Sequence, residues 1–151
     1  MIGPVAKFIK YSAKEKGLIV EVLLNIWFSK VLLIFLPFKW IAPQLGTQDR
    51  ESPKQLSVKD ENCAKQISSI FKKIDPHLHL KNKCLVQAIA AKWMFKRRRI
   101  PSTLYLGARP GQEGEAHYRF HAWLRCGNLI VTGDKNISAL KILSKFSTTA
   151  P

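Results

Sequence analysis

Residues 84–101, CLVQAIAAKWMFKRRRIP, decide the fold, because their apolar period is helical and it changes to two straight afterwards. Cys84, Ala88, Ala91 and Phe95 fall on one face with Leu85, Ile89 and Trp93 beside them, which predicts a largely buried helix. Lys96 to Arg99 close that helix, where cations suit the negative end of its dipole, and Pro101 forbids continuation. Beyond it Leu104, Leu106 and Ala108 alternate with Tyr105 and Gly107, predicting a strand over 102–109. The stretch 118–134, YRFHAWLRCGNLIVTGD, then predicts strands over 118–125 and 129–134 around a turn containing Gly127-Asn128. A helix followed by antiparallel strands is an α+β arrangement.

Working outward, Ser57 with Asp60 three residues on resembles a capping box, and Ala64, Ile67, Phe71 and Ile74 repeat behind it, so a helix is expected over 58–73. Asp75-Pro76 breaks it, and the tail ISALKILSKF reads as a short amphipathic helix. The polar stretch 46–57 reads as a linker between an N-terminal helical segment, 1–45, and a core, 58–151. From Leu18 to Phe38 the chain is apolar for long enough to cross a bilayer, apart from a narrow stripe of Glu21, Asn25 and Ser29 and an interrupting Lys30. That segment is a helix buried on the protein, one lying on a membrane surface, or a span. No small-residue cleavage site follows it, so a removable signal peptide is not expected.

The chain has 151 residues, enough for one domain with a real core. Three cysteines without a C-x-x-C motif exclude a disulfide framework and point to a reducing, cytoplasmic setting. A formal net charge of +15 favours anionic partners: nucleic acid, acidic lipid or acidic peptide.

Three residues carry the chemistry. Cys84 opens its helix, where unpaired backbone N–H groups and the dipole favour a thiolate, the form that attacks. His121 lies inside a strand, which holds a general base rigidly. With Gly127-Asn128 as a two-residue loop, Cys126 faces Leu129 and His121 faces Asp134; with Cys126-Gly127 as the loop, Thr132 faces His121 and Asp134 is one diagonal step away. Both registers keep His121 and Asp134 on one face, whereas a three-residue bulged loop would flip the parity. Cys84, His121 and Asp134 thus form a candidate catalytic set of nucleophile, base and orienting carboxylate.

These residues also resemble a family. Cys84-Leu85, Arg97-Arg98-Arg99-Ile100-Pro101, Gly107-Ala108-Arg109 and His121-Ala122-Trp123 are similar to the motifs of the transglutaminase-like cysteine protease of lasso-peptide biosynthesis, the peptidase half of the maturation B protein. Phe120 stands where that family usually has alanine, and the N-terminal LLIFLPFKWIAPQLG is similar to the family's leucine-rich opening. The resemblance implies a papain/transglutaminase-like fold and cleavage of the leader from a precursor peptide. Cys84 would attack the scissile carbonyl, His121 would shuttle the proton, and Asp134 would fix the imidazole tautomer. The Cys84 N–H is a plausible oxyanion donor, while Gln87 reads as a helix-surface amide and Trp123 as a wall of the cleft or part of the core. In fused members a leader-recognition domain precedes the protease; a chain of this size has no room for one, so a separate leader-binding protein is expected to deliver the precursor. An acidic leader, that partner or the lasso cyclase would suit the basic surface. No cofactor and no metal is called for.

Three rival readings compete. A zinc site from Cys84, His117, His121 and Cys126 lacks the paired ligand spacing. A nucleic-acid binder would use Lys92, Lys96 and Arg97 to Arg99 with Trp93 stacking a base, but a basic helix C-terminus is ordinary capping and no nucleic-acid partner is expected. An acyl transferase or deamidase would use the same triad, since the acyl-enzyme can be resolved by another nucleophile.

Overall fold

A computed structural model describes residues 4–115 and 117–149. In chain order these are helices α1 (Pro4–Ile9), α2 (Ala13–Phe35) and α3 (Phe38–Ile41), strand β1 (Thr47–Gln48), helices α4 (Val58–Ile74) and α5 (Lys83–Arg97), and strands β2 (Ser102–Pro110), β3 (Tyr118–Cys126), β4 (Leu129–Thr132) and β5 (Lys141–Thr148). The strands form one antiparallel sheet in the order β1-β5-β2-β3-β4.

Helix α5 lies at the centre. Val86 to Lys92 are all buried, as are Met94 and Phe95, because α2 covers one side and the sheet the other. A helix apolar nearly all round can only be stable when enclosed like this, and its alanines at 88, 90 and 91 let both neighbours approach. Helix α4 is amphipathic and buries Ala64, Ile67, Ile70 and Phe71. Ser57 caps it by accepting the Asp60 N–H at 3.1 Å. Each fully buried Ile, Leu or Phe of this core contributes roughly 1.5–3 kcal/mol over its exposed state.

Several expectations change. The tail is not an amphipathic helix: a single 3-10 turn, Ile137–Ala139, leads into β5, which pairs with β2 on one side and β1 on the other. The apolar run there is too short for periodicity to separate helix from strand, and β2 would otherwise present an unpaired backbone edge. The stretch 46–57 is tied down. Thr47 and Gln48 pair with β5, buried Ser52 donates its N–H to Thr103 Oγ1 at 2.8 Å, and the buried Arg125 guanidinium donates to Ser52 O at 2.8 Å and Gly127 O at 2.6 Å.

Helix α2 starts at Ala13, five residues before the apolar run, because Ser12 and Glu15 form a capping box the sequence reading passed over. It ends before Pro37, whose ring cannot continue it. Its polar stripe points inward: Asn25 and Ser29 are buried against α5, and Glu21 receives Arg98 at 2.6 and 2.7 Å and Arg97 at 3.0 Å. Hydrogen bonds from Arg98 hold the Glu21 carboxyl below its ordinary range, partial burial opposing and Arg97 adding. Most of the basic cluster at the end of α5, Arg99 excepted, is therefore engaged. Lys92 is fully buried, Lys96 donates to Gln44 O at 2.7 Å, and Trp93 packs on Phe28 with ring centroids 5.4 Å apart.

Candidate active site

Asn82 adopts a left-handed conformation (φ 53°) and offers α5 no side-chain cap, so the first N–H groups of the helix stay available beside Cys84. Opposite stands β3. Its residues Ala122, Leu124 and Cys126 turn into the core, and His121, Trp123 and Arg125 alternate with them. Strand β4 stops at Thr132, opposite Leu124, so β3 has an open edge from Trp123 toward its start. The site is built on that edge.

Cys84 and His121 line the same cleft, where the ring and the backbone N–H groups of Ala122 and Leu85 act on the thiol. Burial alone would raise the thiol pKa; the hydrogen bond and charge of His121, with the two N–H groups, outweigh it and bring the thiol below its ordinary value. His121 is raised in turn, chiefly by its bond to Cys84, with desolvation opposing and the Gly133 carbonyl, the thiolate charge and the Asp134 charge assisting. The two shifts agree in sign: each group favours the charged form of the other. The backbone N–H groups of Leu85 and Ala122 favour the charged form of the sulfur.

The orientation of the imidazole differs from the sequence expectation. His121 Nε2 is 2.7 Å from Gly133 O. A carbonyl only accepts, so Nε2 carries the proton and Nδ1 is the nitrogen left for the thiol. Asp134 is about half exposed, and its ion pair is with Lys72 at 3.9 Å. The turn is the two-residue loop of the first register, with Cys126 facing Leu129 and Arg125 facing Ile130. A bulge then intervenes, and Leu124 faces Thr132. One extra residue on β4 flips the parity beyond it, so the pairing of His121 with Asp134 is replaced by a bond to the carbonyl one residue earlier. Asp134 still lines the cleft.

Gly133 makes this bond possible. Its φ of 73° suits glycine, and a Cβ there would stand 2.4 Å from Ala122 O and 3.1 Å from His121 Nε2. Trp123, 3% exposed, stacks on the imidazole at 6.1 Å between centroids and on Tyr105 at 5.2 Å, so it backs the ring on the face of the sheet away from α5 and is absent from the cleft lining. A Cβ on Gly107, which pairs with His121 across β2, would meet the Trp123 ring at 2.8 Å.

The cleft holds about 340 Å³ and is lined by Cys84, His121, Phe71 and Thr132, with Lys72, Lys83 and Lys135 among its charged residues. Gln87 is a correction: it is buried, lines the cleft, and donates its amide to Asp75 Oδ1 at 2.8 Å. Burial alone would raise Asp75, but Gln87 and then Lys83, at 3.2 Å, hold it below the carboxylate norm. Sequence reading missed Asp75, which stood out only as a helix breaker. Phe120, the departure from the family motif, is 72% exposed and touches none of this.

The sequence model of the transglutaminase-like superfamily matches residues 32–145, most of the chain and all of the cleft. The chain belongs to that superfamily, and its α+β fold, a helix packed on an antiparallel sheet, is the one the sequence predicts. No curated protein and no solved structure matches the chain.

Proposed function

We propose that this superfamily member is a cysteine peptidase that cleaves the leader from a lasso peptide precursor, working with a separate leader-binding protein. The observation that supports the reading most is the Cys84–His121 pair, a thiol lowered and an imidazole raised by each other at the uncapped start of a buried helix, open to a cleft. In this reading the Cys84 thiolate attacks the scissile carbonyl, and the Cys84 N–H at the uncapped helix start is a donor for the oxyanion. The imidazolium then protonates the leaving amine through Nδ1. A water, deprotonated by the same nitrogen, releases the acid and restores the thiol. Gly133 O holds the ring, and Asp134 adds charge that favours the imidazolium. The motif resemblance between 84 and 134 is what directs the chemistry to a leader peptide, and the net charge of +15 suits an acidic one.

The test is the pH dependence of iodoacetamide alkylation at each cysteine, read by mass spectrometry in the native chain and in His121→Ala. Cys84 is expected to react with a midpoint below the free-thiol value of about 8.5, moving up in His121→Ala because desolvation then acts unopposed by the imidazole. Cys126, whose thiol is pushed by burial to about 12, serves as the silent control. Equal reactivity of Cys84 and Cys63 would sink the reading. Leader removal from a lasso precursor in the presence of its leader-binding protein, abolished by Cys84→Ala, tests the substrate class.

A further inference from the structure

We propose that the outward face of α2, together with α3, docks on an anionic lipid bilayer with the helix lying in the plane of the interface. Helix α2 is built inside out. It is the one helix among the described residues long and apolar enough to cross a membrane, with a mean hydropathy of 2.1 over its best window, yet only 17% of that window is buried. The residues turned to the protein are Val22, Ile26 and the polar Asn25 and Ser29, while Leu24 (61% exposed), Trp27 (64%), Phe28 (49%), Ile34 (66%), Phe35 (77%) and, on α3, Trp40 (64%) face outward. At 100° per residue the five from α2 gather on one side of the helix. A contiguous apolar face of this kind marks an interaction site.

Charge selects the occupant. By helical phase Lys14 and Lys30 flank this face on either side, and the neighbouring Lys10 and Lys39 are exposed. The two acids of the segment are engaged, Glu15 in the cap of α2 and Glu21 under Arg97 and Arg98. Protein interfaces are depleted in lysine, whereas an apolar face rimmed by lysines and carrying tryptophans matches a helix at the boundary of acyl chains and acidic headgroups. Lysine stems also reach past apolar surface to leave their ammonium groups at headgroup level. A spanning orientation would strip Val22, Ile26, Asn25 and Ser29 from α5 and carry Glu21 into hydrocarbon. Among the described residues none of α1, α2 or α3 lines the Cys84 cleft, so the docked protein keeps its cleft open to a peptide.

The experiment is flotation with vesicles of phosphatidylcholine alone and of phosphatidylcholine with phosphatidylglycerol, at low and high salt. Comparison with Leu24→Ser combined with Phe35→Ser removes apolar surface without touching the core. The native chain is expected to float at least about tenfold better with anionic vesicles, to lose that preference in high salt, and to leave the vesicles in alkaline carbonate. The double variant, with an unchanged melting temperature, is expected to bind at least about tenfold more weakly. Failure to float with anionic vesicles overturns the proposal, as does flotation that the double variant leaves intact. Resistance to carbonate would mean a span, and a lipid-independent dimer abolished by the same variant would mean that a second copy covers the face; each refutes it.

Discussion

Asp134→Asn separates a carboxylate that holds the imidazole from one that merely lies near it. Where a carboxylate itself accepts the imidazole hydrogen bond, converting it to an amide costs on the order of 10⁴ in turnover, because the wrong tautomer results. Here the Nε2 proton goes to Gly133 O at 2.7 Å, and the amide variant leaves that carbonyl in place. What is lost is one negative charge, about half exposed and shared with Lys72 at 3.9 Å. Exposed charges in such settings are worth up to about 1 kcal/mol, which is roughly fivefold in rate. Asp134 is also the weakest of the influences raising His121. Its removal should therefore lower the imidazolium pKa and move the upper limb of the pH profile down by less than about one unit. The assay is kcat/KM for leader removal across pH, with the alkylation midpoint of Cys84 as a substrate-free companion. A loss of about 10³ or more, or a collapse of the upper limb, would show that Asp134 takes over the ring in the working enzyme and would refute the carbonyl assignment.

Gly133→Ala tests the same carbonyl from the other side: left-handed backbone costs a side chain about 1–2 kcal/mol, the Cβ would press on Ala122 O and His121 Nε2, and both the melting temperature and Cys84 reactivity are expected to fall. An alkylation profile unchanged from the native chain would contradict it. Lys92 is fully buried and bonded to Ser102 O, Ser102 Oγ and Thr148 Oγ1, and burial, with Lys96 adding, brings its ammonium down to about 7. The unfolded chain holds that proton up to a pKa of about 10.4, so it binds more protons than the folded chain between the two values and stability rises with pH there. Between about pH 7 and 8.5 the gain should be roughly 1.5–2 kcal/mol by urea denaturation, and Lys92→Met should lack it; parallel curves for the two proteins would show that burial does not lower the Lys92 pKa.

The elements of the core were legible because their signals are local. The helical period of 84–97, the Pro101 stop and the Gly127-Asn128 turn are each set by residues a few positions apart, and each appears where the sequence puts it. The elements misread are those whose state is set by distant partners. Lys141 to Thr148 is a strand because β2 and β1 need a neighbour, and Gln87 is buried because Asp75 waits beyond the end of α4.

The site shows the same division at the scale of one residue. Cys84 and His121 were legible, since a helix start and a strand interior are local facts. The partner of His121 was not, because it depends on register, and register depends on every residue between the turn and the site. The sequence reading allowed for a loop that would flip the parity and placed the risk in the turn. The flip comes instead from a bulge among Ile130, Val131 and Thr132, three residues with strong strand propensity and no glycine or proline to announce it. The bulge keeps Val131 fully buried, with its carbonyl accepting from Ser68 on α4 at 3.3 Å, and leaves Thr132 buried in the cleft wall. Packing of β4 on α4 thus fixes the place where the extra residue goes. That place determines whether a carboxylate or a backbone carbonyl meets the His121 imidazole, so Ser68→Ala on α4 is expected to shift the Cys84 alkylation profile, and an unchanged profile would refute the coupling.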